Sequence, residues 1–253
     1  MKKFWNMTVS PLNNDVGSIT MYGDISDVSW FGDEITPTLF KQDLDDMGDI
    51  SELEIHINSG GGDVFAGFAI YNMIKRHKAH KTVYVDGLAA SIASLIAMAG
   101  DTVVMPRNSM MMIHKAWSMV AGNADELRKM ADTLEGIDAI LCSSYEGKTG
   151  LGAEEIEEML SNETWMSGEE AVEKGFADVL EEDVAIAASI DKKFLDRYHN
   201  VPETLNNRGE SEPVEEILDT PVEDEQEIAD APNTLEEQRK DFNRIRKKIY
   251  ERE

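Results

Sequence analysis

Residues 53–75, LEIHINSGGGDVFAGFAIYNMIK, give the clearest indication of the fold class. Leu53, Ile55 and Ile57 alternate with polar residues, which is the period of a strand with one buried face. The glycines at 60–62 end this strand, and over 65–75 the apolar spacing becomes that of a helix. A strand that turns directly into a helix is half of a β-α-β unit. The stretch therefore predicts an α/β fold with a mostly parallel sheet.

The alternation of strand and helix continues on both sides of this stretch. We predict further strands at 18–26, 82–87, 102–106 and 110–115, and helices at 37–47, 88–99, 124–145 and 153–160. Thr36 and Pro37 form a start signal for the first of these helices. Ser167 and Glu170 form a capping box for a last short helix, which Gly175 closes. The helix at 124–145 carries one long apolar face: Leu127, Met130, Leu134, Ile137 and Leu141.

Composition excludes several classes of protein. The 253 residues are 42% hydrophobic, which is enough for a globular body. The net charge, 24 − 50 = −26, repels a phosphate backbone, so nucleic acid is excluded as a partner. Cys142 is the single cysteine, which excludes an internal disulfide and a cysteine-based zinc site. No apolar run reaches the roughly 18 residues of a membrane span and no signal peptide is recognisable, so we expect a cytoplasmic protein.

The acidic residues are concentrated near the C-terminus. Between Glu203 and Glu237 there are thirteen acidic side chains and one basic side chain, Arg208, with several prolines and no aromatic residue. Such a stretch buries too little surface to offset the entropy of ordering. We therefore predict a folded domain over 1–190 and a disordered acidic linker over 191–237. Residues 238–253 read as a short charged helix that forms on docking.

Three short motifs carry residues suited to nucleophilic chemistry. Ser91 follows Gly87 and two alanines near the start of an apolar helix, where free N–H groups favour a developing oxyanion. His114 ends a strand that lies beside Ser91 if the sheet is parallel. The glycines at 60–62 present N–H groups to an oxygen, but no Gly-Lys-Ser/Thr follows and Asp63 repels phosphate. Taken singly, each motif also has an ordinary structural explanation: a turn, small-residue packing and a core histidine.

Taken together, the segments INSGGGDVFAGFAIY, YVDGLAASIAS, MPRNSMMMIHK and NETWMSGEEAVEKGFAD are specific. In order and spacing they resemble the Clp protease proteolytic subunit family, and most of all its phage and prophage branch, the head maturation proteases. The resemblance covers about residues 15–182. It implies a crotonase-like β/α superhelix in which the helix at 124–145 is the handle that joins two rings.

The resemblance also implies a catalytic triad. Ser91 matches the nucleophile of the family and His114 matches the general base. The third member of the family is an aspartate, and its position is taken here by Glu163, one methylene longer, with the neighbouring Asn162 as the alternative.

The family further implies an oxyanion hole and a substrate groove. The oxyanion hole is formed by backbone N–H groups at Gly61 or Gly62 and Ile92, and this chain has Gly60 where the family usually has proline. Substrate binds as an added strand between two edges. These edges comprise Asp63, Val64 and Phe65 on one side and Lys115, Ala116 and Trp117 on the other. No cofactor and no metal are implied.

By this resemblance the protein is a serine endopeptidase that cleaves polypeptides inside homo-oligomeric rings of six or seven subunits, single or stacked. The branch implies capsid (prohead) maturation, with capsid, portal or scaffold proteins as partners, in the host cytoplasm or the prohead interior. One alternative is a general ATP-dependent Clp subunit that works with an unfoldase, a Clp ATPase. Another is a capsid scaffold with an idle protease fold, which the acidic tail favours. An acyl-CoA hydratase or isomerase shares the superhelix but needs acidic bases at the oxyanion hole.

Overall fold

The computed structural model describes residues 7–9, 15–29, 34–183 and 195–206. Within these ranges the chain forms one eight-stranded sheet with helices packed against it, and the predicted α/β fold is confirmed. The strands are β1 (Met7–Val9), β2 (Val16–Tyr22), β3 (Glu52–Ser59), β4 (His80–Ala90), β5 (Thr102–Pro106), β6 (Met110–Ile113), β7 (Thr164–Ser167) and β8 (Val179–Glu181). The helices are α1 (Pro37–Asp46), α2 (Val64–Arg76), α3 (Ile92–Ala97), α4 (Ala124–Thr149), α5 (Ala153–Ser161), α6 (Gly168–Glu173) and α7 (Glu203–Asn206).

The centre of the sheet is parallel and apolar on its buried face. The strand order is β1-β2-β3-β4-β5-β8, and β6 lies off this path, paired with β4 and β7. Ile19, Ile55 and Val83 are in register on three neighbouring strands, and each is fully buried. The alternation in the 53–59 segment therefore has the predicted effect. In the part of the chain that is described, no helix combines the length and apolarity needed to cross a bilayer.

Strand β4 is longer than its sequence suggests. Residues 88–90 were predicted as the start of a buried helix, and this prediction is wrong because β4 continues to Ala90 and only Ile92–Ala97 are helical. The register shifts between Ile57 and Ser59 on the neighbouring strand. On its other edge, β4 pairs with β5 through residues 82–84 and then with β6 through residues 88–90, where Ala90 lies opposite Met112. Small apolar residues suit a buried strand and a buried helix alike, so the pairing partner decides.

The long helix α4 is the predicted handle. Asn123 caps it in a box with Glu126, and Gly150 ends it in the left-handed conformation. Its apolar face is buried only in part. Ile137 and Leu141 are buried in the core, whereas Leu127, near the start of the helix, is 44% exposed. Near the start of α4, Leu127 is thus an apolar side chain that the described part of the chain covers only in part.

Most of the predictions for the C-terminal part of the chain concern residues that the structure does not describe. The boundary at 190, most of the acidic linker and the helix at 238–253 lie outside the described ranges. Residues 195–206, which were assigned to the linker, differ from that prediction because they contact the body. Leu195 and Leu205 are 5% and 4% exposed. These isolated apolar anchors are diluted when composition is averaged over a long acidic stretch.

Candidate active site

Ser91 stands on a sharp turn between β4 and α3. Its backbone has φ 57° and ψ −129°, a conformation that costs a non-glycine residue on the order of 1–3 kcal/mol and clusters at functional sites. The Ser91 N–H donates to the Met112 carbonyl at 2.9 Å, which ties the turn to β6. This strand–turn–helix geometry presents a serine hydroxyl at the end of the sheet, as a nucleophile requires.

His114 is brought to Ser91 by the pairing of β4 and β6. Since these strands are parallel, their carboxyl ends meet at the same edge of the sheet. The His114 Nε2 atom lies 2.8 Å from Ser91 Oγ, within reach for proton transfer. Burial lowers the pKa of His114, the charge of Glu163 raises it and nearby His199 lowers it, with a net decrease from 6.5. The imidazole is therefore neutral at neutral pH, as a general base must be.

The glycine loop approaches the turn too closely for any side chain. A Cβ atom on Gly61 would lie 2.7 Å from the Ala90 carbonyl oxygen and 2.8 Å from Ser91 Cβ. At Gly62, where φ is 148°, a Cβ atom would lie 2.0 Å from the Ile25 carbonyl oxygen. Both glycines are thus required by contacts as well as by backbone conformation.

The two glycine N–H groups differ in availability. The Gly61 N–H donates to Ser59 Oγ at 3.1 Å. Gly62 forms a parallel β-bridge with Ile25. The Ile25 N–H donates to the Gly61 carbonyl, and the Asp63 N–H donates to the Ile25 carbonyl. In such a ladder the intervening Gly62 N–H points away from Ile25. Of the predicted oxyanion residues, Gly62 and Ile92, at the first position of α3, are thus better placed than Gly61.

The first predicted substrate edge is shorter than expected. The Asp63 side chain accepts a hydrogen bond from Ala66 N at 2.7 Å and caps α2. Val64 and Phe65 therefore belong to the first turn of a helix and are not part of a strand edge. Phe65 is 65% exposed, so its side chain is open to a ligand.

The second predicted edge is partly occupied by the protein itself. The Lys115 N–H donates to the Leu160 carbonyl at 3.1 Å, and the Ala116 N–H donates to Asp138 Oδ1 at 2.8 Å. Trp117 is 62% exposed. On this side, the N–H groups of Lys115 and Ala116 are therefore already used within the chain.

Glu163 lies near His114 but is bonded elsewhere. Its carboxylate accepts hydrogen bonds from His199 N at 2.8 Å and Asn200 N at 2.6 Å, and from the Trp165 indole at 3.3 Å. Its own backbone is left-handed, with φ 50°. Among the described residues, no hydrogen bond joins Glu163 to the imidazole of His114, although its charge raises the pKa of that ring. The alternative residue, Asn162, offers its carbonyl to the Asn200 side chain at 2.9 Å.

Sequence reasoning missed Tyr198. Its hydroxyl donates to the Gly60 carbonyl at 2.5 Å, and its ring meets those of His114 and Trp165 edge-on at centroid distances of 5.3 and 5.7 Å. Burial raises the pKa of Tyr198 to about 12, against an opposing interaction with the Ser91 side chain. The only sequence signal was an aromatic residue beside a histidine in a polar stretch.

A buried pair of hydroxyls supports the turn from behind. Ser94 Oγ donates to the Ser91 carbonyl at 2.6 Å, a local bond that serine hydroxyls inside helices often make to the preceding turn. The Tyr145 hydroxyl, on α4, lies 2.9 Å from the same oxygen of Ser94. The base of the handle is thereby linked to the backbone of Ser91.

A second titratable cluster lies on the sheet, away from Ser91. The Tyr22 hydroxyl donates to Asp86 at 2.7 Å, and His56 Nδ1 lies 3.0 Å from the same carboxylate. The hydrogen bond with Asp86 raises the pKa of His56 despite partial burial. Over the described ranges, no group of three His, Cys, Asp or Glu side chains is placed to hold a metal ion.

Comparison with known proteins agrees with this geometry. The model of the family described as Clp protease matches residues 12–183. The ATP-dependent Clp protease proteolytic subunit of Deinococcus radiodurans is 33% identical over 138 residues, which are 53% of this chain and 67% of that protein. Subunit 2 of Thermobifida fusca is 31% identical over 130 residues (50% and 64%), and subunit 1 of Chlamydia trachomatis is 36% identical over 127 residues (48% and 66%). The chain thus spans about two thirds of the length of each relative. The family match includes Ser91, His114 and Glu163 and ends before residues 195–206.

Proposed function

The chain belongs to the Clp protease family, and from this premise we propose that it hydrolyses peptide bonds with Ser91 as nucleophile and His114 as general base. The family makes the protein a hydrolase of the serine peptidase class. The single observation that carries the residue assignment is the 2.8 Å contact between His114 Nε2 and Ser91 Oγ on a strained strand-to-helix turn.

The proposed reaction uses these two side chains in both halves of the cycle. Ser91 Oγ attacks the peptide carbonyl carbon while His114 Nε2 takes the hydroxyl proton, and the carbonyl oxygen becomes an oxyanion. The N–H groups of Gly62 and Ile92 stabilise that charge. The carbon–nitrogen bond then breaks as His114 returns the proton to the leaving amine. Water repeats the sequence on the acyl-enzyme and releases the carboxylate product and free Ser91.

Glu163 is proposed as the third member of the triad. A carboxylate beside a neutral histidine base fixes its tautomer and stabilises the imidazolium formed during attack. Glu163 is near enough to raise the pKa of His114 electrostatically. Its hydrogen bonds to His199 and Asn200 must be exchanged for one to the imidazole before it takes this role.

Substrate is proposed to be polypeptide in extended form. The backbone around Gly62 offers one side of the groove, and the chain from Trp117 onward offers the other. Main-chain hydrogen bonds then supply most of the affinity, so selectivity for side chains is broad.

A homo-oligomeric ring of six or seven subunits, single or stacked, is proposed from the family resemblance, with support from the apolar surface of the chain. Leu127 and Ile140 on α4, together with Trp117, Met119 and Val120 before it, are between 42% and 89% exposed. Large exposed apolar side chains on and just before one helix support an interaction surface there. Light scattering of the purified protein measures the assembly, and a monomer would contradict it.

For the biological setting, two candidates are carried forward. The residue sequences of the motifs resemble those of the head maturation branch, and this resemblance supports cleavage of capsid or scaffold proteins. The named relatives are ATP-dependent proteolytic subunits, which supports an unfoldase partner instead. The genes beside this one separate the two: portal and capsid genes favour the first, and an unfoldase gene favours the second.

Active-site labelling tests the chemistry. A fluorophosphonate in prolonged incubation should modify Ser91, located by mass spectrometry, and should leave the Ser91→Ala and His114→Ala proteins unmodified. A scaffold with an idle protease fold predicts instead that Ser91 reacts no faster than other serines.

A further inference from the structure

The segment over 195–206 lies across the site that would receive substrate. Tyr198 is its central contact, because the hydroxyl reaches Gly60 and Ser91 while the ring lies against His114. Any peptide carbonyl that approaches Ser91 must displace this side chain.

Two further contacts hold the segment on either side of Tyr198. Arg197 donates to both oxygens of Asp24, at 2.7 and 2.8 Å, in the paired geometry that guanidinium and carboxylate favour. On the other side, the backbone N–H groups of His199 and Asn200 donate to Glu163. The four residues from 197 to 200 are thus bonded to the body in succession.

The contact with Glu163 has a consequence beyond covering the nucleophile. A carboxylate that accepts two backbone N–H groups and an indole is held in place by those bonds. In this arrangement it makes no hydrogen bond to His114 within the described residues. Release of the segment removes the two backbone donors and frees the carboxylate to turn towards the imidazole. The segment therefore blocks the nucleophile and withholds the acid at the same time.

We propose that residues 195–206 are an intramolecular inhibitor, and that the cleft around Ser91 binds a basic residue followed by an aromatic residue, a pair supplied here by Arg197 and Tyr198. This inference rests on the proposed peptidase function. Asp24 is then a specificity residue for a cationic side chain, and Trp165 and His114 form the wall for an aromatic ring. The tether keeps the local concentration of the segment high, so catalysis is limited to the fraction of time in which the cleft is open.

The rate at which a fluorophosphonate labels Ser91 in the full chain tests the inhibition. Tyr198→Ala should speed labelling by about tenfold or more, because the central aromatic anchor is lost. Arg197→Ala, at a half-exposed site, should speed it by a few-fold, about what an exposed ion pair is worth. Arg128→Ala is the matched control, since it removes an exposed arginine paired with Asp125 on α4 and should leave the rate unchanged.

A charge swap separates docking from unrelated damage. Asp24→Arg alone should accelerate labelling as Arg197→Ala does. Combined with Arg197→Asp, it should restore slow labelling, because the ion pair is rebuilt with reversed sign. Absence of this rescue would count against the assigned contact.

A synthetic peptide tests the specificity of the cleft. Added to the Tyr198→Ala protein, the peptide LDRYHNVPETLN should slow labelling in a concentration-dependent manner. The same peptide with alanine at the arginine and tyrosine positions should not. If the two peptides slowed labelling equally, Asp24 and Trp165 would not recognise the arginine and tyrosine side chains.

The outcomes for the inhibitor and for the peptidase are distinct. If the wild type and Tyr198→Ala react equally fast, or Tyr198→Ala reacts more slowly, the inhibitor is disproved and the peptidase stands. If Ser91 is unreactive in every variant, the peptidase proposal fails and the inhibitor falls with it. Hydrogen exchange of the His199 and Asn200 amides is an independent readout: both should be protected in the wild type and exposed in Tyr198→Ala.

Discussion

The nucleophile and the acid of this site are positioned by different kinds of structure. Ser91 and His114 follow two strands, β4 and β6, whose backbone hydrogen bonds fix their separation. Glu163 instead has its carboxylate held by a segment that lies 36 residues further along the chain. Backbone pairing inside a buried sheet is rigid, whereas a docked surface segment opens at lower cost in free energy. We infer that the Ser91–His114 pair is preformed and that the state of the acid is adjustable.

Removing the nucleophile is the most severe test of the preformed Ser91–His114 pair. Ser91→Ala should reduce peptide hydrolysis on the order of 10³-fold or more and leave the circular dichroism spectrum unchanged, because one hydroxyl is lost and no packing. His114→Ala should cost about as much. Ser94→Ala is the control, and its effect should be far smaller. If it alone abolishes hydrolysis, the nucleophile has been misassigned.

Displacing the glycine loop should have the next largest effect. Gly62→Ala places a Cβ atom against the Ile25 carbonyl and moves the N–H proposed for the oxyanion, so turnover should fall by about 10²- to 10³-fold. Gly48→Ala is matched in its positive φ of 69° but meets open space. It should cost about 1 kcal/mol of stability, measured by denaturant unfolding, with turnover unchanged. Similar turnover in both variants would exclude Gly62 from the oxyanion hole.

Substitution of Glu163 tests the adjustable half. In the Tyr198→Ala background, Glu163→Gln should lower kcat by about 10²-fold, because an amide favours the wrong imidazole tautomer. Glu163→Asp should retain or raise activity, since it restores the residue of the family. Equal loss in both variants, or loss in neither, would transfer the third role to another group such as Asn162.

The pH dependence should change when the segment is displaced. In the full chain, burial and His199 lower the pKa of His114, while Glu163 opposes them. Tyr198→Ala admits water and moves His199 away, so both lowering causes weaken and the pKa rises. Activity requires the neutral imidazole, so the acid limb of kcat/KM should move to higher pH than in the wild type. An unmoved limb would show that the segment does not bury His114.

The smallest effect is expected at the base of the handle. Tyr145→Phe removes a buried hydroxyl bonded to Ser94 and should cost about 1 kcal/mol of stability and a few-fold in kcat. Tyr22→Phe removes a hydroxyl bonded to Asp86 on the sheet and should leave kcat unchanged. An equal change in kcat for the two variants would mean that Tyr145 does not position Ser91.

Local sequence patterns by themselves predict much of the secondary structure of this protein. The alternation at 53–59, the cap at Thr36 and the boxes at Asn123 and Ser167 depend on contacts a few residues apart, and the sequence alone contains them. The proximity of Ser91 and His114 also followed, since parallel strands bring their carboxyl ends together.

Other features follow only from the tertiary structure, because they depend on which residues distant in sequence come into contact. The apolar residues 88–90 suit a helix or a strand, and pairing with β6 made them strand. Asp63 became a helix cap, which shortened the expected substrate edge. Tyr198 lies 35 positions beyond Glu163, at the start of a stretch whose average composition is that of a linker. Their meeting beside His114 depends on a few long-range contacts that no local period encodes, and these contacts determine the state of the site.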